Sequence, residues 1–209
     1  GLESEQVIAP GEMTAVAGTG DVERSGDGIV TVSGEPLSEG SSYAVDAYAP
    51  EPSAAEMRAA SREYDAELAS YTALTLPAEL DVGTGGVVRL TPALLGTEDA
   101  SPDELPDFVP AGYARMERLA DRLVGESASG YDAAVAVSDH LAEGFEYDER
   151  PPPRTDPLPG FLFTDRRGYC QQFSGAMAML LRMGGVPARV AAGFTPGERV
   201  PGEESLYEV

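Results

Sequence analysis

The sequence predicts an α+β protein, and three observations support that prediction. Short β-type segments between Gly, Pro and Asp turns fill the first 50 residues. Apolar residues recur with helical spacing after residue 110, and five prolines between residues 148 and 160 interrupt the helical region. We expect a β-rich region at 1–108, with one helix and a long loop, and a second, largely helical region at 109–209.

The first region contains two segments that are typical of strands, Gly28–Ser33 and Ser42–Ala49, because their side chains alternate or are β-branched. Residues 53–70 have the composition of a helix, for which Ser53 is a candidate N-cap. Glycines and an acidic, proline-bearing run make residues 78–110 an extended loop or a connection between domains.

The second region begins with two predicted helices. The first has a single apolar face, made by Met116, Leu119, Ala120, Leu123 and Val124. The second starts at Ser129–Asp132, which resembles a capping box. Because proline lacks a backbone N–H, residues 148–160 are expected to form a stiff loop without a helix or a central strand.

A third helix is expected from about Cys170 to Arg182, and paired glycines at 184 and 185 are suited to end it. Val186–Phe194 should then form a strand, and Ser205–Val209 should begin another. Cys170 therefore lies at the predicted start of a helix, and two predicted strands follow that helix.

The charge of the chain excludes one class of partner. Thirty-six acidic residues oppose fourteen basic ones, for a net charge of −22. Such a field repels phosphate backbones, so we expect no nucleic-acid binding and a preference for neutral or cationic substrates. The sequence has no Lys, Asn or Trp. Adaptation to high salt and a GC-rich genome both fit this composition, which does not separate them.

The cysteine and histidine content limits cofactors. A single Cys cannot form an internal disulfide, and one Cys with one His cannot make a self-contained zinc site. We therefore predict no metal and no cofactor. No apolar run approaches the roughly 20 residues that span a bilayer.

Cys170 is the candidate nucleophile. A helix N-terminus stabilises negative charge, including a thiolate and the oxyanion that forms during acyl transfer. The physical argument alone leaves two interpretations open, because a lone Cys in an apolar neighbourhood is often a small buried hydrophobe.

A dense pattern in residues 161–194 favours the catalytic interpretation. Its elements are Phe161-Leu162, Arg167-Gly168-Tyr169-Cys170, Phe173, Leu180-Leu181-Arg182, Gly184 or Gly185, Pro187-Ala188-Arg189 and Gly193. Together they closely resemble the transglutaminase-like superfamily, in which a G-x-C motif opens the catalytic helix. A looser likeness includes Phe145-Glu-Tyr147. Leu37–Ala49 resembles the β-rich segment that precedes the core in membrane-anchored prokaryotic members.

The resemblance implies a papain-like core, in which Cys170 forms a thioester with a peptide or protein carboxamide. The outcome would be transamidation or hydrolysis by a cysteine acyltransferase or protease. The implied natural protein is membrane-anchored, with this part outside the cytoplasm. Family members complete a triad with a His that begins an H-A-W strand and an Asp on the next strand. Both are expected downstream of Val209, so we expect residues 1–209 alone to be inactive.

Other residues near the motif have competing interpretations. His140 is the single histidine, but it matches no triad position and is expected on a helix surface. Tyr147 is an oxyanion donor or, more simply, a half-buried strand tyrosine. Arg166 and Arg167 attract a substrate carboxylate or are solvated turn charges. Arg189 matches a family arginine and is expected to form a structural ion pair.

Two other functions remain open from the sequence. The fold could serve as a non-catalytic module that binds a peptide or a cell-wall polymer in the same groove. Residues 1–108 could also be a separate interaction domain for partners in the cell envelope. The oligomeric state is not indicated by any pattern in the sequence.

Overall fold

The computed structural model describes residues 3–26, 28–60, 63–79, 85–92, 94 and 105–193, and the backbone of 198–199 and 207–208. The chain divides into two compact units, one formed by 1–52 with 192–209 and the other by 53–191. These units are defined by which residues are neighbours in space. The predicted boundary between a β-rich region and a second region, near residue 108, is based on composition and stays a prediction. The α+β class, with helices and small antiparallel sheets, is confirmed.

The first unit is built from short antiparallel strand pairs. They are β1 (Glu12–Ala17) with β4 (Ala44–Tyr48), and β2 (Val22–Arg24) with β3 (Val30–Val32). Side chains of Val7, Met13, Val30 and Val32 are buried together. Both strands expected in this region, at 28–33 and 42–49, are therefore confirmed in shortened form. Two two-residue strands near the chain's end, Glu198–Arg199 and Tyr207–Glu208, also pair antiparallel.

The second unit is a helical layer with a two-stranded antiparallel sheet. Its main elements are α1 (Ala54–Ala59), a 3₁₀ helix (Ala66–Thr72), β5 (Leu74–Glu79), β6 (Gly85–Leu90), α2 (Ala111–Val124) and α3 (Gly130–Ala142). The predicted apolar face of α2 is confirmed, since Met116, Leu119, Ala120 and Val124 are buried. Ser129 caps α3 as expected, because its Oγ accepts from Asp132 N at 3.1 Å.

The predicted helix at 53–70 is wrong in its length. Ser53 does form a capping box: its Oγ accepts from Glu56 N, and the Glu56 carboxylate accepts from Ser53 N at 2.8 Å. However, α1 ends at Ala59, and a 3₁₀ helix follows at 66–72. Most helical stability in proteins comes from packing of an apolar face. Since α1 buries none of its residues, that stabilisation is missing and the helix stays short.

Part of the region expected as a loop, 78–110, is a strand. β6 pairs antiparallel with β5 from Leu74↔Leu90 to Glu79↔Gly85. Glycines at 85 and 86 weaken the strand signal in the sequence. Pairing with β5, whose Leu76 is fully buried, supplies the hydrogen bonds and the apolar cover that the local sequence lacks. Residues 80–84, 93 and 95–104 lie outside the described part of the chain.

The proline-rich segment corrects a second expectation. Its last residues form a short helix, α4 (Pro157–Gly160), which continues into a π-helical turn at Phe161–Asp165. Pro157 is the first helical residue, where the missing N–H has no intrahelical acceptor in any case. Proline content therefore excluded the interior of a helix but not its first turn.

The strand expected at Val186–Phe194 is also not formed in its described part, 186–193. A strand needs a neighbour for its alternating backbone groups. Both backbone groups of Ala188 bond to other elements and not to a neighbouring strand. Its N donates to Tyr71 O at 3.2 Å, and its O accepts from Arg182 Nε at 2.7 Å. The backbone is thus held by single contacts with other elements. Across the described residues, no helix has both the length and the apolarity that a bilayer-spanning segment requires.

Candidate active site at Cys170

Cys170 is the first residue of α5 (Cys170–Met183), as the sequence predicted. A two-residue parallel pair leads to it, β7 (Glu146–Tyr147) with β8 (Arg167–Gly168). Tyr169 is the extended N-cap residue, and its backbone N donates to Gln172 Oε1 at 3.1 Å. A glutamine at the third helical position thus satisfies the N-cap amide. Gln172 is not among the residues predicted from the sequence, although a glutamine at this helical position is a known capping signal.

Gly168 is required by the packing just before Cys170. A Cβ at this position would lie 2.9 Å from the Gln172 Cβ and 3.0 Å from a ring carbon of Phe161. Its φ is not in the left-handed region. The glycine therefore permits the close approach of β8 to α5.

The opposite face of α5 holds the helix rigidly. Ala176, Leu180, Leu181 and Met183 are buried. Near the end of the helix, Arg182 donates through Nε to Ala188 O at 2.7 Å and through Nη1 to Ala73 O at 2.9 Å. Gly185 follows with φ 75°, and Val186 N closes the helix by donating to Leu181 O at 2.9 Å. The predicted glycine termination is confirmed.

The thiol itself is free and exposed. The buried-hydrophobe interpretation of Cys170 is therefore wrong. The first amides of an α-helix have no acceptor within the helix. Gln172 N donates to Tyr169 O at 3.0 Å, so the amides of Cys170 and Gln171 are the ones placed to stabilise a negative charge beside the thiol. An exposed sulfur at this end of a buried helix can reach a substrate without any rearrangement of the core.

An aromatic cluster supports the first turn of α5. Phe173 meets Phe161 edge-to-face, with ring centroids 4.9 Å apart, and Phe145 lies 4.9 Å from Phe161 on the same side. Phe161 is almost fully buried. Such ring pairs fix one another's orientation beyond what area burial alone does. The cluster thus connects three elements: Phe145 follows α3, Phe161 begins the π-helical turn, and Phe173 lies in α5.

Arg166 belongs to this support. It is exposed in a turn, as expected for a turn charge, and its attraction of a substrate carboxylate stays a prediction. Its backbone is left-handed, with φ 49°. Its guanidinium donates to Gly144 O and Glu143 O, both at 3.0 Å, and stacks 4.5 Å from the Phe145 ring centroid. Those carbonyls follow the last turn of α3, so Arg166 ties that helix end to the turn that precedes Cys170.

Arg167 and Tyr147 lie on the paired strands before the helix. Arg167 forms a partly exposed ion pair with Asp148, with 3.7 Å between Nε and Oδ2. Tyr147 is 61% exposed and stacks nearly parallel on Phe173, at 6.4 Å between centroids and 22° between ring planes. The expectation of a half-buried strand tyrosine is therefore wrong. Arg189 is exposed and takes part in an interaction within the described structure.

His140 lies in the last turn of α3, with its ring 5.8 Å from that of Phe145. Burial lowers the pKa of His140 below its usual value, and the charges of Arg166 and Arg122 lower it further, against a smaller opposing effect of Glu143. The expected surface position is only partly correct, because the ring is half-buried. Its ring packs at the edge of the aromatic cluster.

An open groove of about 520 Å³ lies elsewhere in the second unit. It is lined by residues that include Arg115, Arg154, Asp156 and Phe163, but not Cys170. The Arg154 guanidinium forms a two-point ion pair with Asp165, at 2.6 and 2.9 Å. In the part of the chain that the structure describes, no group of three His, Cys, Asp or Glu side chains is placed to hold a metal ion.

Comparisons with known proteins cover the same segment. The Transglutaminase-like superfamily profile matches residues 117–207. A Bacillus subtilis protein named YebA is 38% identical over 114 residues, which are 51% of this chain and 15% of that protein. A Pseudomonas aeruginosa protein-glutamine gamma-glutamyltransferase is 39% identical over 92 residues, or 43% of this chain and 14% of that protein. The matched part is thus a small fraction of each relative's length.

Two solved structures are also similar, both of the periplasmic domain of TgpA from Pseudomonas aeruginosa. One is 39% identical, covers 42% of this chain and 31% of its own, and has a TM-score of 0.38. The other, bound to ethylmercury, is 33% identical, covers 57% of this chain and 46% of its own, and has a TM-score of 0.39. The segment that matches the Transglutaminase-like superfamily, residues 117–207, includes Cys170 and the helix it begins.

Proposed function

We propose that Cys170 is the nucleophile of a transglutaminase-like acyl transfer from a peptide or protein carboxamide. The observation that carries the proposal is the exposed thiol at the first position of α5, within the segment that matches the superfamily. The name of the Pseudomonas relative, a protein-glutamine gamma-glutamyltransferase, supports a glutamine side chain as the acyl donor.

The chemistry follows from the thiol and the helix end. The Cys170 thiolate attacks the carboxamide carbon, and the carbonyl oxygen becomes an oxyanion beside the free amides of the helix. The carbon–nitrogen bond then breaks, the nitrogen takes up a proton and leaves as ammonia, and a thioester to Sγ remains. Attack by water gives the acid, whereas attack by a primary amine gives a new amide. Hydrolysis of a backbone amide by the same steps would be protease activity.

A proton carrier is required in addition to the thiol, because one proton must leave the sulfur and another must reach the departing nitrogen. We propose that this carrier is the histidine of the H-A-W strand implied by the resemblance, oriented by the aspartate on the next strand. His140 is not proposed for the role, since it packs against Phe145 at the end of α3. Without the H-A-W strand, residues 1–209 by themselves should show no turnover.

The location and the substrate charge complete the proposal. The resemblance of Leu37–Ala49 to the segment before the core of membrane-anchored prokaryotic members supports a position outside the cytoplasm in a membrane-anchored protein. The net charge of −22 favours neutral or cationic acyl donors over acidic ones.

The experiment compares the natural protein that contains these residues with its Cys170→Ala and His140→Gln variants. Ammonia release from a glutamine peptide and incorporation of a labelled primary amine are followed together. Cys170→Ala should abolish both, and His140→Gln should leave them within about twofold. Full activity of Cys170→Ala would reject the nucleophile. Absence of turnover on any amide, with retained peptide binding, would favour the non-catalytic binding module.

A further inference from the structure

Tyr147 is an exposed aromatic side chain without an evident structural reason for its exposure. Large aromatic rings gain stability from burial, yet this one is 61% exposed. One of its faces lies on Phe173, at 6.4 Å and 22°. Phe173 in turn packs edge-to-face on the buried Phe161. The ring of Tyr147 therefore contacts Phe173 on one side and is otherwise largely exposed to solvent.

The position of this ring relative to the thiol follows from the register. Tyr147 pairs with Gly168 in the parallel strands, and the N of the next residue, Asp148, donates to Gly168 O at 2.8 Å. Cys170 comes two residues after Gly168. Phe173, under the tyrosine ring, is three residues after Cys170, and side chains three apart on a helix are neighbours on its surface. Tyr147 and Phe173 thus form a wall beside the first turn of α5, here called the Tyr147 wall.

Few charges lie on the side of the strand that bears this wall. Side chains alternate along a strand, so Glu146 points to the face of β7 opposite Tyr147. Asp148 is paired with Arg167. The first turn of α5 has no acidic residue, and its exposed position 171 is an uncharged glutamine. Within the described residues, neither Tyr147 nor the first turn of α5 therefore brings a charged side chain to the surface beside the thiol. The polar groups there are uncharged: the Tyr169 hydroxyl donates to Gln171 Oε1 at 2.6 Å.

We propose that the Tyr147 wall binds an apolar side chain that flanks the acyl-donor carboxamide, and so sets the sequence preference of the site. The proposal rests on the function proposed above for Cys170. The flanking side chain covers the exposed ring and loses water on binding, which favours leucine-like residues over polar ones. Tyr147 is then a specificity-determining residue that takes no part in proton transfer.

The test uses two glutamine peptides that differ only beside the glutamine, with leucine in one and serine in the other. The difference is placed before and after the glutamine in turn. Dissociation constants are measured on the Cys170→Ala variant of the natural protein, and KM and kcat on the active protein. Tyr147→Ala should weaken the leucine peptide by about five- to tenfold, as expected for the loss of one apolar contact. It should change the serine peptide by less than twofold and leave kcat nearly constant.

Two further variants keep the result interpretable. Tyr147→Phe retains the ring and should retain the leucine preference. Val87→Ala removes another exposed apolar side chain of the same unit, one that is 75% exposed, and should change neither peptide. Thermal melting of each variant confirms that the fold is intact.

Several results would overturn the proposal. They are an equal loss for both peptides in Tyr147→Ala, a clear loss of kcat in Tyr147→Phe, and no leucine preference in the unsubstituted protein. Failure of the proposed chemistry is a separate outcome. In that case no Cys170-dependent turnover is seen, while Cys170→Ala still discriminates the two peptides through Tyr147.

Discussion

Gly168 and Gln172 approach each other so closely that a Cβ on the glycine would stand 2.9 Å from the glutamine Cβ. Such a separation is below ordinary carbon–carbon contact, so nothing larger than a hydrogen fits between them. The same glutamine accepts the Tyr169 N–H that leads to Cys170. The contact between Gly168 and Gln172, together with the hydrogen bond from Tyr169 N, therefore fixes the path of the backbone that leads into Cys170.

Gly168→Ala should separate β8 from α5 and misplace the thiol. Overpacking of this kind costs about 1–3 kcal/mol of the free energy of unfolding. We also expect more than tenfold loss of kcat, because small displacements of a reacting group cost about 100-fold in rate. Urea unfolding and amine incorporation measure the two effects. Gly20→Ala is the control, since a Cβ there meets nothing within 4 Å. Normal stability and activity of Gly168→Ala would show that the contact is dispensable.

The exposure of Cys170 predicts its accessibility to reagents. Iodoacetamide should modify one residue in the folded protein without denaturant, and mass spectrometry should locate the label on the peptide that contains Cys170. The Cys170→Ala variant should take up no label. Reaction only after unfolding would mean that the sulfur is covered in solution, and the nucleophile assignment would then fail.

Arg166→Ala should destabilise the second unit. It removes two charge-assisted hydrogen bonds to Gly144 O and Glu143 O and the stacking on Phe145. Hydrogen bonds from charged groups contribute about 1.5–3 kcal/mol each, which is about 3–6 kcal/mol for two. Both bonds are exposed to solvent, which weakens them, so we expect a loss of about 2–4 kcal/mol in the free energy of unfolding. Arg166→Gly should be the milder variant by up to about 1 kcal/mol, since glycine accepts the φ of 49° without strain.

The control for this series is Arg118→Ala, because Arg118 is exposed on α2 and is expected to change stability by less than about 0.5 kcal/mol. If Arg118→Ala and Arg166→Ala lose the same free energy of unfolding, the loss in Arg166→Ala reflects the removal of a surface charge and not its specific contacts. Equal stability of the Gly and Ala variants would remove the argument from backbone strain.

His140 should make stability depend on pH below neutrality. Its folded pKa is lowered from 6.5, mainly by burial and then by Arg166 and Arg122. The unfolded state therefore binds the proton more tightly. The stabilisation is complete above the unfolded pKa and is lost as the pH falls below about 6.5 towards the folded pKa.

Urea unfolding at pH 7.5 and pH 5.5 checks the sign. The free energy of unfolding should fall between these values in the unsubstituted protein, and it should fall less in His140→Gln. The carboxylate of Asp165, whose pKa is lowered by its hydrogen bond to Arg154, titrates below this window and does not obscure the comparison. A larger fall in His140→Gln would mean that protonated His140 stabilises the fold.

Local sequence was sufficient for the helices around the site. The apolar spacing in α2, the Ser129 cap of α3, the start of α5 at Cys170 and the glycine at its end all depend on residues within about four positions of one another. The motif around Cys170 also predicted the superfamily that residues 117–207 match. The catalytic role of Cys170, the histidine and aspartate partners, the substrate and the membrane-anchored location remain predictions.

The sequence by itself thus determined helices α2, α3 and α5, the Ser129 cap and the position of Cys170 at a helix start. Only the tertiary structure decided the pairing of β6 with β5 and the irregular backbone of 186–193. It also decided the hydrogen bonds of Arg166 to the residues that follow α3, and the exposure of Tyr147. The physical reason is the sequence separation of the groups involved. Arg166 bonds a carbonyl 22 residues away, and Tyr147 stacks on a ring 26 positions later. Contacts at such separations leave no periodic trace in the sequence, because they form only when the folded chain brings distant elements together.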